Sequence, residues 1–283
     1  MKRIDAHTHL FAPGQRAERA QIAATDATFA EMYGDPAAKM ATAEQLIAAI
    51  DAAGIDGAVA AGFAFASERE IGRQNEYLLA TACASAGRIA AVATVNPALP
   101  GWERLAGQAL AGGARGFGEL RPASQGWDPL GPNGERLCRL AADAGAVLLW
   151  HVSEPAGHRY PGKTGGIGPA ELIAVATAHP DVAMVGAHLG AGAAFFLHMP
   201  EVRRSIELLY FDTAAFTLLY DESSVAQLVA TAGHGRVLFG SDFPLLSPTR
   251  QLARVTALLE RDALEAVCGG NAQHLYFGST PKR

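Results

Sequence analysis

Short, almost continuously apolar runs alternate along the chain with longer stretches whose apolar residues recur every three or four positions. Eight runs read as strands: Arg3–Ala6, Gly57–Ala61, Ile89–Val95, Ala114–Glu119, Val147–His151, Val182–Ala187, Leu208–Asp212 and Arg236–Ser241. Such runs suit parallel strands covered on both faces. Between them lie helical stretches. In Thr42–Ala53 the apolar Leu46, Ile47 and Ile50 share a face, Thr42 is placed to cap the start, and Gly54 marks the stop. Asn75–Ala86, Trp102–Leu110, Gly134–Ala144, Pro169–Ala178, Glu222–Ala232 and Thr249–Leu259 follow the same logic, Met199–Ser205 is less regular, and Gly270–Phe277 reads as a closing helix.

Parallel neighbours need a crossover of helix length, so repeated βα units predict an α/β protein with a parallel sheet. Eight units favour a closed (β/α)8 TIM barrel over an open sheet, and no GxGxxG follows the first strand to suggest a dinucleotide fold. No linker, charge block or low-complexity tract interrupts the pattern, so residues 1–283 are expected to form a single domain. Pro13–Ala41 is long for a βα loop and is expected to fold over the barrel top.

Composition narrows the class. The 283 residues suit a barrel, which typically needs about 250. A net charge of −5 argues against a nucleic-acid partner. Cys83, Cys138 and Cys268 are far apart and form no CxxC pair, so they read as reduced thiols. No apolar run has the length of a signal peptide or a membrane span, which points to a cytoplasmic protein without a membrane partner. Whether the chain forms a homo-oligomer is open.

Catalytic groups of such barrels gather at the C-terminal ends of the strands. Polar residues fall there repeatedly: His7 and His9 after the first strand, Glu119 ending the fourth, His151 the fifth, His188 the sixth and Asp242 the eighth. Residues two apart on a strand share a side, so His7 and His9 can face one ion. Imidazole with carboxylate suits zinc, manganese, iron or nickel better than calcium. Each residue alone has a plainer explanation: a histidine satisfied at a barrel rim, or Asp242 capping a turn. The coincidence of all six is the signal.

The segments DAHTHLF, GARGFGELRP, LLWHVSEP, VGAHLG, RVLFGSDFP and GNAQHLY together resemble the amidohydrolase superfamily. More narrowly, they resemble its amidohydrolase 2 branch, which includes 2-pyrone-4,6-dicarboxylate lactonase and aminocarboxymuconate semialdehyde decarboxylase. The resemblance implies His7 and His9 as ligands of a first metal and Asp242 as ligand and proton acceptor. It implies His151 and His188 as ligands of a second metal, or as substrate contacts where one ion binds. Glu119 departs from part of that branch and is similar to TatD-type members, where a glutamate bridges two ions. One or two divalent ions are expected, zinc first among the candidates, with two favoured. The plainer account pairs Glu119 with Arg121.

The expected function is a metal-dependent hydrolase cleaving an amide, lactone or ester bond of a small anionic substrate. A metal-activated water would attack, with Asp242 and His188 as the catalytic groups. Arg121 and the loop residues His158, Arg159, Tyr160 and Lys163 could clamp the anion, the plainer alternative being solvated loop charges. Two alternatives remain open: a metal-dependent decarboxylase and a TatD-like nuclease. Asp212 and Thr213 read as supports, and Phe63, Phe65, Phe195 and Phe196 as packing residues before pocket walls.

Overall fold

The computed structural model describes residues 2–278. Eight strands form one sheet in chain order: β1 (Ile4–His9), β2 (Gly57–Ala61), β3 (Ile89–Ala93), β4 (Gly116–Leu120), β5 (Val147–Trp150), β6 (Met184–Gly186), β7 (Leu209–Asp212) and β8 (Val237–Leu238). Every neighbouring pair is parallel. The Ala6 amide donates to Phe239 O (2.8 Å), Asp242 to His7 O (3.0 Å) and His9 to Phe243 O (2.7 Å), which sews β1 to the chain beyond β8. The result is the expected TIM barrel.

Alternation divides the side chains between two layers. On β5, Leu148 and Trp150 join the outer core against the helices, while Val147 and Leu149 fill the interior. The interior is narrow and filled by small residues such as Ala6, Val59, Ala61, Val92 and Ala187; Ala272 and Tyr276 of the last helix, Asn271–Phe277, pack into the same cluster.

Two strands break the alternation where it matters. On β1, Asp5 lies opposite Ala58 but Thr8 opposite Ala60; on β4, Phe117 lies opposite Leu148 but Leu120 opposite Trp150. Each strand therefore carries one extra residue, and a bulge of this kind re-aims the side chains beside it. His7 and Glu119 sit within these two irregularities.

The expected helix at Asn75 begins two turns earlier. Glu68–Ala84 is capped by Ser67, whose hydroxyl accepts from the Glu70 amide at 3.3 Å. The strand runs expected at Val182–Ala187 and Arg236–Ser241 shrink to three and two residues. Beyond β8 the chain bends against β1 so closely that a Cβ on Gly240 would lie 2.7 Å from His7 Cβ.

Pro13–Ala41 holds three short helices, Pro13–Ala17, Arg19–Thr25 and Ala27–Tyr33, rather than an open loop. It lies across the strand-end face, as expected. Asp26 accepts from the amides of Phe29, Ala66 and Ser67, joining this segment to the loop after β2. Lys39 Nζ donates to Leu245 O (2.8 Å) beyond β8. Phe11, Phe29, Phe63 and Phe65 form a buried aromatic cluster beneath the segment. Phe63 and Phe65 are thus packing residues, whereas Phe195 is 76% exposed. Among the described residues, no helix is long and apolar enough to cross a membrane.

Candidate metal centre and active site

The six strand-end residues converge. His7, His9 and Asp242 offer ligand atoms to one point, and Glu119, His151 and His188 to a second. All six are buried, each no more than 8% exposed. Glu119 joins the trios through its two oxygens. Oε1 lies 2.8 Å from His151 Nδ1 and 3.1 Å from His188 Nε2, while Oε2 lies 3.5 Å from His9 Nε2 and 3.9 Å from His7 Nε2. Asp242 Oδ1 stands 3.7 Å from His9 Nε2 and 4.0 Å from His7 Nε2. Arg121, the alternative partner for Glu119, pairs instead with Glu31 at 3.1 Å.

Outer contacts decide which ring nitrogen faces each point. Asp212 Oδ2 lies 2.7 Å from His7 Nδ1, and an ionised carboxylate only accepts, so Nδ1 carries the proton and Nε2 is bare. Gly162 O, 2.6 Å from His151 Nε2, likewise leaves Nδ1 bare. Ala214 O, 3.2 Å from His188 Nδ1, leaves Nε2 bare. Bare lone pairs of His151, His188 and Glu119 then meet within 2.8–3.2 Å of one another, and His7 Nε2 meets His9 Nε2 at 3.0 Å. Acceptors so close repel unless a cation or proton lies between them. An ion bound tetrahedrally at about 2.0–2.2 Å would hold its ligands roughly 3.3–3.6 Å apart, close to the observed spacings. The residues present fit a divalent metal at both points.

Titration agrees. Burial opposes charge on His7, yet the Asp212 carboxylate, helped by Glu119 and Asp242, raises it to about 10. Burial also opposes charge on His188, and Glu119 and Asp242 raise it to about 9. Burial lowers His151, with Glu119 resisting incompletely. Burial would raise Glu119, but its histidine neighbours, His151 foremost, hold it well below the usual carboxylate range. A metal ion held by the His7 and His188 nitrogens would compete with protons for them.

Backbone geometry supports the same residues at a cost. His188 and Asp242 both have left-handed φ, 58° and 61°, and His188 opens a left-handed run through Gly192. Such conformations in non-glycine residues persist only where the surroundings over-determine them, typically at functional sites. Below the cluster, Asp5 Oδ1 accepts from the Ser241 amide (2.9 Å) and the His7 amide (3.3 Å). Burial, resisted by these hydrogen bonds, raises its carboxyl to about 7.

The remaining candidates divide. Arg121 is buried beside the cluster. His158 and Arg159 are exposed, while Lys163 Nζ lies 3.3 Å from Glu154 and Tyr160 OH donates to that same carboxylate at 2.8 Å. Sequence reasoning missed two contributors. Gly162 acts through its carbonyl, and Asp5 lies one step below His7; only Asp5, within the DAHTH motif, left a signal.

Fold and site together define a barrel enzyme with a candidate metal centre at its mouth. The sequence matches the amidohydrolase family over residues 4–278, and the chain belongs to that family. No curated protein matches it by sequence. Among solved structures, it is similar to 5-carboxyvanillate decarboxylase from Novosphingobium aromaticivorans with bound manganese, at 16% identity and TM-score 0.75, over 98% of this chain and 97% of that one. The 2,6-dihydroxybenzoate decarboxylase from Rhizobium is similar at 13% identity and TM-score 0.70, over 97% and 98% of the two chains. A protein described as a 2-pyrone-4,6-dicarboxylic acid hydrolase from Pseudomonas putida is similar at 17% identity and TM-score 0.67, over 97% of each.

Proposed function

We propose that this chain is a metal-dependent hydrolase that cleaves an amide, lactone or ester bond of a small anionic substrate. The observation that carries the reading is Glu119, whose two carboxylate oxygens each face one histidine-bearing trio. Divalent ions held beside this carboxylate would supply an acidified water and polarisation of an acyl oxygen, a chemistry suited to hydrolysis. His7, His9, Glu119, His151, His188 and Asp242 would hold the ions. Zinc and manganese both suit this donor set.

The chain's own groups supply the rest. Asp242 stands at the rim of its trio, where a carboxylate oxygen can take a proton from the attacking water and return it to the leaving group. His188 is oriented by Ala214 O and keeps its Nε2 towards the reacting centre. The segment Pro13–Ala41 and the loop after β5 leave the cluster nearly closed, which limits competing water. Arg121, with Tyr160, Lys163, His158 and Arg159 on the β5 loop, offers cationic and hydroxyl groups for an anionic substrate.

A second reading, a metal-dependent decarboxylase, has specific support. The solved structures favour it over hydrolysis, since two of the three relatives above are described as decarboxylases of aromatic acids. At 13–16% identity that likeness carries the fold, so the reaction has to be argued from the site. The test is a metal-loaded preparation offered aryl esters, lactones and anilides of small acids beside hydroxybenzoates. Hydrolysis without carbon dioxide supports the first reading, and carbon dioxide release without hydrolysis replaces it with the second.

A further inference from the structure

Residues 154–166, in the connection from β5 to the helix Pro169–Ala178, contain neither helix nor strand. The base of this loop is fixed: the Ser153 amide donates to Ile167 O and the Ile167 amide to His151 O, each at 3.0 Å. Above the base, Gly157, Gly162 and Gly165 take left-handed φ of 90°, 89° and 93°, so this backbone has wide conformational freedom to lose on ordering. Yet Gly162 O stands 2.6 Å from His151 Nε2, the contact that leaves Nδ1 bare. On the far side of Gly162, Thr164 O and Gly165 O accept from Arg121 Nη2 (2.7 Å) and the Ser124 amide (3.1 Å).

Glu154 supplies the anchor on the near side. Its Oε2 accepts from Tyr160 OH at 2.8 Å and from Lys163 Nζ at 3.3 Å, and Lys163 Nζ also donates to Ala156 O. Lys163 follows Gly162 directly, so the charge pair pins the peptide that carries the orienting carbonyl. The Glu154 and Lys163 side chains are 17% and 15% exposed, and water screens such a pair less than it screens a surface ion pair. A further partner comes from outside the loop. Burial opposes charge on Glu154, but Tyr220 beyond β7, with Tyr160 and Lys163, holds its carboxyl below the usual carboxylate range. Glu154 Oε1 and the Tyr220 hydroxyl are both buried, with no other partner among the described residues.

We infer that Glu154 is a positioning residue for the second trio: through Tyr160, Lys163 and Tyr220 it fixes the β5 loop so that Gly162 O stays on His151 Nε2. This rests on the metal-dependent reading above, in which the bare His151 Nδ1 is a ligand. Release of the loop frees the ring to exchange tautomers, and the second site weakens. His7 is oriented by Asp212 instead, so the first site keeps its affinity.

The test compares Glu154→Ala, Glu154→Gln and Lys163→Met with the wild-type chain. In metal-free protein, NMR of the ring nitrogens should show wild-type His151 as the Nε2–H tautomer, and Glu154→Ala should mix the two tautomers. Trypsin should cut after the exposed Arg159 about tenfold faster in that variant. Zinc calorimetry should show second-site affinity about tenfold weaker and first-site affinity unchanged. Glu154→Gln keeps an oxygen for Tyr160 but gives up the charge facing Lys163, and Lys163→Met removes the pair from the other side; both should fall between wild type and Glu154→Ala. An unchanged His151 tautomer in Glu154→Ala overturns the proposal, as does an equal loss of zinc affinity at both sites. A wild-type chain that takes up no zinc, with the tautomer still shifted by Glu154→Ala, keeps the positioning role and loses the metal-dependent reading.

Discussion

The two trios at the barrel mouth are held in place by different means. His7, His9 and Asp242 stand on β1 and the tail of β8, which direct backbone hydrogen bonds tie together, and a buried carboxylate, Asp212, orients the His7 ring. His151 and His188 are oriented by neutral carbonyls, Gly162 O in the loop after β5 and Ala214 O beyond β7. A hydrogen bond to an ionised acceptor is stronger than one to a carbonyl and makes the opposite ring nitrogen a better ligand. The first trio is therefore the more rigidly held half of the candidate centre. The second is positioned by loop carbonyls.

The comparison breaks most visibly through Asp242. Asp242→Ala should lower turnover by about 100- to 10,000-fold, the range of a lost acid–base group, with the circular dichroism spectrum unchanged. Wild-type turnover in that variant would remove Asp242 from the chemistry. Glu119→Gln should reduce metal content from two equivalents to one by elemental analysis, the first trio retaining its ion; two equivalents retained would show that Glu119 bridges nothing.

Asp212→Asn sharpens the contrast. An asparagine amide can donate to His7 Nδ1, which moves the ring proton to Nε2 and blocks ligation there. First-site affinity should fall about 10- to 100-fold, with a smaller change at the second, measured by two-site calorimetry. Equal losses at both sites would abolish the distinction, since Asp212 also accepts from the His188 amide at 3.0 Å.

The smallest effect is in pH. His7 and His188 titrate at about 10 and about 9 in the folded chain, above the ordinary histidine value of 6.5. Their stabilisation of the metal-free fold is complete below about 6.5 and is lost as pH rises through about 9 to 10. Metal displaces the same protons, so affinity should rise about tenfold per pH unit for each proton released, between pH 7 and 9. Calorimetry in buffers of different ionisation enthalpy counts those protons, and a pH-independent affinity would contradict the assignment.

The strands and most helices were legible because their signals are local. The missed start of Glu68–Ala84 also had one, Ser67 with Glu70 three residues on, obscured by the polar first turns. The six candidate ligands were legible as polar residues ending apolar runs. The partners of the loop cations were not. Lys163 and Tyr160 meet Glu154 through a loop conformation that spacing does not specify.

By itself the sequence determined eight βα units, their order and the six side chains carried to one end of the barrel, since hydrophobic period and turn chemistry act within a few residues of chain. Tertiary structure alone decided the bulges in β1 and β4, the ring nitrogens that His7, His151 and His188 turn to the site, and the burial of Arg121 beside Glu31. Each of these depends on contact between distant segments: β1 against β2, His7 against Asp212, Arg121 against a helix 90 residues earlier. A linear pattern holds no record of such distances, and the closed sheet brings them together.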